Sequence, residues 1–249
     1  MRAPVDTIVA PLFPRALPWV NVAGSSGQAS IIQRGKPMLV EFWDFCRPNS
    51  LRTLPYVKAW HERYGALGLR VIGVHCPGFD VSRNEQAVRD AVARLDIEYP
   101  VLIDSELEVW QDYGNEGWPS RYLFDGRARL FDYHHGEGAY TETELAIQEL
   151  LGVEREPLEL MRAEDAPEAQ LHAQTADQPG PYSGPYEAGA VWGVFDAPGV
   201  VRVNGFEVEI PQAGAYPLIE HERHTEDVLE IATGPGISCL ATCFTPGIA

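Results

Sequence analysis

Apolar and polar positions follow two periods along this chain, and the balance between them changes after about residue 152. Residues 37–45, PMLVEFWDF, are an almost continuous apolar run of β-rich residues, the pattern of a strand buried on both faces of a parallel sheet. In residues 50–64, Leu51, Leu54, Val57, Trp60 and Tyr64 recur near helical spacing. Pro55 inside that helix predicts a kink, because it removes a backbone donor. LRVIGVHC (69–76) reads as a second buried strand. Residues 84–95 place Val88, Ala91, Val92 and Leu95 on one helical face. YPVLID (99–104) predicts a third strand and ELEVWQDYG a short helix. SRYLFDGRARLFDYHH predicts a hairpin turning at Asp125-Gly126. TETELAIQELLG (141–152) predicts a helix opened by a Thr141/Glu144 capping box and closed at Gly152. Strands alternating with helices predict an α/β unit. Its sheet is mostly parallel, covered on both faces, and carries an antiparallel edge.

The helical period then disappears. Residues 153–188 are rich in Glu, Ala, Gln and Pro and read as a linker or surface-hugging segment, with Tyr182 and Tyr186 as its anchors if it packs. From residue 189 onward only short strand patterns remain, punctuated by Pro198-Gly199, Asn204-Gly205 and Gly234-Pro235-Gly236. That spacing predicts a small β-sandwich or barrel-like module. The expected organisation is therefore 1–152, an α/β domain; 153–188, a linker; and 189–249, a β module.

Composition narrows the function. A chain of 249 residues allows one or two domains. The net charge of −17 argues against nucleic acid and anionic membrane surfaces as partners, since a phosphate backbone needs clustered Lys and Arg. No apolar run approaches the ~20 residues of a membrane span. The N-terminal stretch carries prolines where an export signal needs a continuous apolar segment. A soluble, cytoplasmic protein is the expectation. The cysteines, Cys46, Cys76, Cys239 and Cys243, are too few for a disulfide framework in a chain of this length, so they are expected as thiols in a reducing cytosol.

The chemistry concentrates in EFWDFCRPNSLRTLP (41–55), where a strand pattern runs into one cysteine and then a helix start. Cys46 stands beside Arg47 and near a helix N-terminus, and both favour thiolate. The competing reading makes Cys46 a small apolar residue filling space. Glu41 lies inside the apolar strand. Buried, it would have a raised pKa and serve as a proton carrier; at the strand end, it would face water. His75, His134 and His135 are candidate bases near the thiol, or half-buried histidines with no such task. HERH (221–224) and CLATC (239–243) hold zinc-ligating residue types. On a strand, however, Cys239 and Cys243 are separated by about 13 Å, at ~3.3 Å per residue, too far to share one ion.

Several segments occur together in one order: APLFPRALPWVNV, FW at 42–43, LRTLPYVKAW, GLRVIGVHCPGF, EGWPSRYLFD and HHGEGAYTETE. In that order they resemble thioredoxin-fold proteins of the TlpA-like and redoxin group, in the form found in DipZ-type and NHL-repeat-containing proteins. The resemblance implies a thioredoxin-like fold with a cis-proline at Pro119. It also implies that the strands ending near Cys46 and Cys76 are parallel neighbours, so both thiols are candidates for one sheet edge and for a pair. A gapless match puts the family's two cysteines on Arg47 and Ser50. A shifted match puts them on Cys46 and Asn49. Either way the Cys-x-x-Cys pair is degenerate, and a dithiol reductant needs its second sulfur to resolve the mixed disulfide. The C-terminal module is also similar to that of DipZ-type proteins, which is jelly-roll-like and implies carbohydrate or polypeptide binding, with Trp192, His221 and His224 on its loops.

The first functional expectation is a thiol oxidoreductase or antioxidant redoxin of one-cysteine type. Cys46 would be the nucleophile, Arg47 its electrostatic support, Glu41 the proton carrier, and Pro119 would present the substrate. Ser50, Cys76, Trp118 and Arg121 would line the binding surroundings. Substrates would be protein thiols, disulfides or peroxide, with an external thiol as reductant, no cofactor and no metal; oligomeric state is left open. The alternative is a non-catalytic thioredoxin-fold binding or scaffold protein. A third reading makes the β module a carbohydrate binder and the α/β domain its support.

Overall fold

The computed structural model describes residues 8–22 and 35–249; residues 1–7 of the N-terminal stretch read for an export signal lie outside the described residues. The chain divides into two units, residues 1–44 with 49–159, and residues 45–48 with 160–249.

The first unit contains β1 (Trp19–Val20), β2 (Met38–Trp43), α1 (Pro48–Tyr64), β3 (Arg70–His75), α2 (Glu85–Arg94), β4 (Val101–Ile103), α3 (Glu108–Asp112), β5 (Ser120–Phe124), β6 (Leu130–His135) and α4 (Tyr140–Leu151). Its sheet runs β1-β4-β3-β2-β5-β6. β2, β3 and β4 are parallel, while β1, β5 and β6 join antiparallel. All six residues of β2 are buried, as expected of a central strand. Successive side chains of a strand take opposite faces. Met38, Val40 and Phe42 accordingly join a core with Ile72, Val74, Leu102, Tyr122 and Phe124. Leu39, Glu41 and Trp43 stand on the other face. Each buried aromatic or aliphatic side chain in such a core contributes about 1.5–3 kcal/mol.

α1 begins at Pro48, where the missing N–H is one that a first helical turn leaves unpaired anyway. Pro55 sits on its exposed side and the helix runs through to Tyr64. The expected capping box of α4 does not form. Its N-cap is Ala139, at φ 49°, with no side-chain cap. Glu144 is instead buried. It accepts hydrogen bonds from Tyr64 Oη (2.5 Å) and the Leu158 N–H (2.8 Å), and Arg63 lies 3.3 Å away. Tertiary partners outcompete the local cap for this carboxylate.

The second unit is all-β. β8 (Gln178–Pro179), β9 (Ser183–Phe195), β10 (Gly199–Val203), β11 (Phe206–Ile210), β12 (Gly214–Thr233) and β13 (Cys239–Thr245) form an antiparallel sheet in the order β11-β10-β12-β9-β13-β8. β7 (Leu171–His172) pairs separately with β14 (Gly247–Ile248). The long β9–β12 ribbon shifts register between Pro217 and Ile219 and between Glu220 and Thr225, the local kinks a sheet uses to curve. Its core gathers Tyr186, Val191, Phe195, Val201, Leu229 and Phe244. Residues 153–188, read from sequence as one linker, divide here. Those up to Glu159 belong with the first unit, tied by the Leu158–Glu144 bond, and those from Leu160 with the second, where β9 already starts at Ser183. No helix among the described residues is long and apolar enough to cross a membrane.

Candidate functional site

β2 ends at Trp43 and α1 starts at Pro48, so Cys46 and Arg47 occupy the connecting loop. Phe45–Pro48 count with the second unit, in which the Phe45 carbonyl accepts from the Ala215 N–H (3.0 Å). Cys46 is 0% exposed. Nucleophilic thiols need access as well as thiolate character, so this burial counts against the reactive reading of Cys46 and fits its packing reading. Ser50 is also buried, and its Oγ accepts from the Asp44 N–H (3.2 Å). At this position the hydroxyl ties the loop to the helix start.

Asp44 is the hub that sequence reading missed. Fully buried, its Oδ2 accepts from the Gly78 N–H (2.7 Å) and the Ser82 hydroxyl (3.2 Å), while Oδ1 lies 3.4 Å from His75 Nε2. His75 is itself 0% exposed and set edge-on to Trp43. The available signal was an Asp inside the apolar run PMLVEFWDF, of the same kind that drew attention to Glu41. A buried carboxylate is costly unless hydrogen-bonded, and Asp44 is.

Cys76 donates to Asp104 Oδ2 (3.4 Å). Burial first, and then the Asp104 charge, push its thiol well above the ordinary range. Asp104 also accepts from the N–H groups of Glu108 and Trp110, fixing the start of α3. All four cysteines are buried, and none is in a disulfide, so the considered Cys46–Cys76 bond is not formed. In the second unit, burial pushes Cys243 up to about 12.

The Trp118–Pro119 peptide bond is cis, as the resemblance implies. Trp118 Nε1 donates to the Cys76 carbonyl (2.9 Å), and its ring lies 4.4 Å from that of Trp110. Ser120 Oγ donates to the Gly117 carbonyl and meets His135 Nδ1 at 3.1 Å. His134 Nε2 is bound to the Glu137 carbonyl (2.8 Å). These contacts occupy both histidines, the last two residues of β6.

Arg121, two residues past Pro119, is 1% exposed rather than solvated. Its guanidinium lies over the rings of Trp60 (5.7 Å) and Tyr140 (5.2 Å), and Nη2 donates to the Gly138 carbonyl (2.5 Å). Across the sheet it faces Glu41. Glu41 is 2% exposed, and both its carboxylate oxygens are buried without a hydrogen-bond partner among the described residues. Burial pushes its pKa up to about 8, with Arg121 pulling the other way. The structure thus brings Glu41 and Arg121 together and decides for the buried reading of Glu41.

The aromatic and histidine candidates of the β module are not on loops. Trp192 lies in β9, His221 and His224 in β12. His221 Nε2 meets Tyr186 Oη at 2.9 Å, and His224 Nε2 lies 3.4 Å from Glu187 Oε2. Among the described residues no group of three or more His, Cys, Asp or Glu side chains is arranged to hold a metal.

No family model matches the sequence. The chain is 29% identical over 238 residues to Protein DipZ of Mycobacterium tuberculosis, covering 88% of this chain and 34% of that protein. It therefore spans about a third of that relative's length. It is 25% identical over 116 residues to the thiol-disulfide oxidoreductase YkuV of Bacillus subtilis, covering 47% of this chain and 78% of the relative. Among solved structures, a thiol-disulfide isomerase from Corynebacterium glutamicum superposes with a TM-score of 0.50 at 26% identity, covering 57% of this chain and 96% of that one. With this strand order, the cis Pro119 and these likenesses, the first unit has the thioredoxin-like redoxin fold of the thiol-disulfide oxidoreductases, followed by an all-β unit.

Proposed function

We propose that this protein uses its thioredoxin-like unit to bind polypeptide without carrying out dithiol exchange. The observation that carries the reading is the state of the β2–α1 loop. The one thiol in it, Cys46, is 0% exposed, and the gapless match puts Arg47 and Ser50 where a redox pair would stand. Thiol–disulfide exchange requires an accessible thiolate and, for a dithiol reductant, a second sulfur to release the product. Neither Arg nor Ser supplies one. What is retained is the cis-proline segment Trp118–Arg121, which in the resembling family presents the substrate backbone. The partner is accordingly a polypeptide.

A one-thiol oxidoreductase is the second reading, favoured by Arg47 standing next to Cys46. It requires the loop to open and expose the sulfur. Alkylation of the native protein across a pH series, with each modified cysteine located by mass spectrometry, separates the two. Cys46 inert until denaturation supports the binding reading. Fast modification of Cys46 with an apparent pKa below the ~8.5 of an ordinary cysteine overturns it.

A further inference from the structure

The first unit carries an aromatic cavity on the sheet face opposite Glu41 and Arg121. Strand alternation puts Tyr122 and Phe124 of β5 on that face, and Tyr133 of β6 is the direct partner of Tyr122. Tyr113, closing α3, and the strap 8–11 complete the walls. The strap is held in place where the Leu130 N–H donates to the Ile8 carbonyl and the Ala10 N–H to the Ala128 carbonyl, both at 2.8 Å. The cavity volume is about 360 Å³, the size of a small-ligand site.

Three features select the ligand. The rings stand in crossing planes: Tyr113 meets Tyr122 at 69° and Phe124 at 86°, and Tyr122 meets His135 at 79°. Two of the three phenol hydroxyls in the lining are already committed, Tyr122 Oη to Asn115 Oδ1 (2.9 Å) and Tyr113 Oη to the Pro11 carbonyl (3.4 Å), so these walls offer ring surface more than hydrogen bonds. The charge on the lining is negative. Asp112 lines the cavity, and no Lys or Arg does among the described residues. The negative field reaches the rings themselves: after burial, Asp112 raises the Tyr113 phenol and Glu116 the Tyr122 phenol. Rings in crossing planes beside a carboxylate attract a cation whose own surface is apolar, through the ring quadrupoles and without demanding directional hydrogen bonds.

We propose that this cavity binds a small organic cation of the alkylated-ammonium class. The test is calorimetric and NMR titration of the full chain with choline and with its neutral counterpart, the alcohol in which a tert-butyl group replaces trimethylammonium. Choline is expected to bind about fivefold or more tighter than the alcohol, the range of a partly desolvated cation–π contact, with shifts centred on Tyr113, Tyr122 and Tyr133. Asp112 is exposed, so Asp112→Asn should fold normally. It is expected to weaken choline about threefold, as an exposed charge pair does, and leave the alcohol unchanged. Tyr133→Leu keeps apolar volume and should lose the preference for the cation. Equal affinity for the two ligands, no binding of either, or shifts clustered elsewhere would each overturn the proposal.

Discussion

Glu41 on β2 and Arg121 on β5 are direct antiparallel partners, both buried, facing each other across the centre of the first sheet. On Glu41's other side the parallel partner is Gly73, which has no side chain to offer. Arg121 is held by the Trp60 and Tyr140 rings and the Gly138 carbonyl. Glu41 has no hydrogen bond among the described residues, and the attraction to Arg121 acts on it only once it ionises.

That environment makes stability fall with rising pH. The folded-state pKa of Glu41 is raised from 4.5 to about 8, so between those values the folded protein holds a proton that the unfolded chain releases. The stabilisation is fully present below 4.5 and is lost as pH rises through about 8. At ~1.4 kcal/mol per unit the loss amounts to a few kcal/mol. Glu41→Gln, which copies the neutral acid, should match the wild type in acid and exceed it increasingly toward alkaline pH. Urea denaturation of both proteins across this window checks it; parallel pH curves would show that Glu41 does not titrate there.

Arg121→Ala should destabilise the protein by about 3 kcal/mol, because it empties the space between two rings and removes a buried cation. It should also move the Glu41 titration further up, since Arg121 is the charge that lowers it. Denaturation midpoints read the first effect and carboxyl-resolved NMR the second. A Glu41 titration that stays in place would mean the pair is not coupled.

A Cys-x-x-Cys pair can be introduced into the β2–α1 loop. Arg47→Cys combined with Ser50→Cys should raise reduction of insulin disulfides above that of the wild type. Asn49→Cys, which pairs with the native Cys46 in the shifted match, should not, because Cys46 is buried. The reverse result would establish the shifted register as the true one.

In the second unit, Gly189→Ala should be strongly destabilising, by about 2–4 kcal/mol as for other overpacked or strained core positions. A Cβ there would collide with the Pro246 carbonyl and lie 2.6 Å from the Gly247 Cα, backbone atoms that cannot step aside as a flexible side chain can. Gly73→Ala, whose new Cβ meets side-chain atoms at 3.0 Å or more, should cost less. Thermal denaturation of the two variants ranks them.

The elements themselves were legible in the sequence. The helix read at 50–64 spans 48–64, and the strand read at 69–76 spans 70–75, because period and buried apolar content are local properties of the chain. Glu41 stood out because a carboxylate inside an apolar run has few explanations. Pro119 stood out only through the resemblance. The Thr141/Glu144 box misled for a definite reason: Glu144 found Tyr64, Arg63 and the Leu158 N–H, all remote in sequence from the cap.

By itself, then, the sequence determined the order of strands and helices, the absence of a Cys-x-x-Cys pair and the place of Glu41 within an apolar run, since each depends on neighbours along the chain. Only the tertiary structure decided that Arg121 is Glu41's partner, that Asp44 gathers Gly78, Ser82 and His75, and that Cys46 has no exposed surface. Those facts depend on strand register and on what packs over a loop. Residues tens of positions apart set both, and no local pattern encodes them.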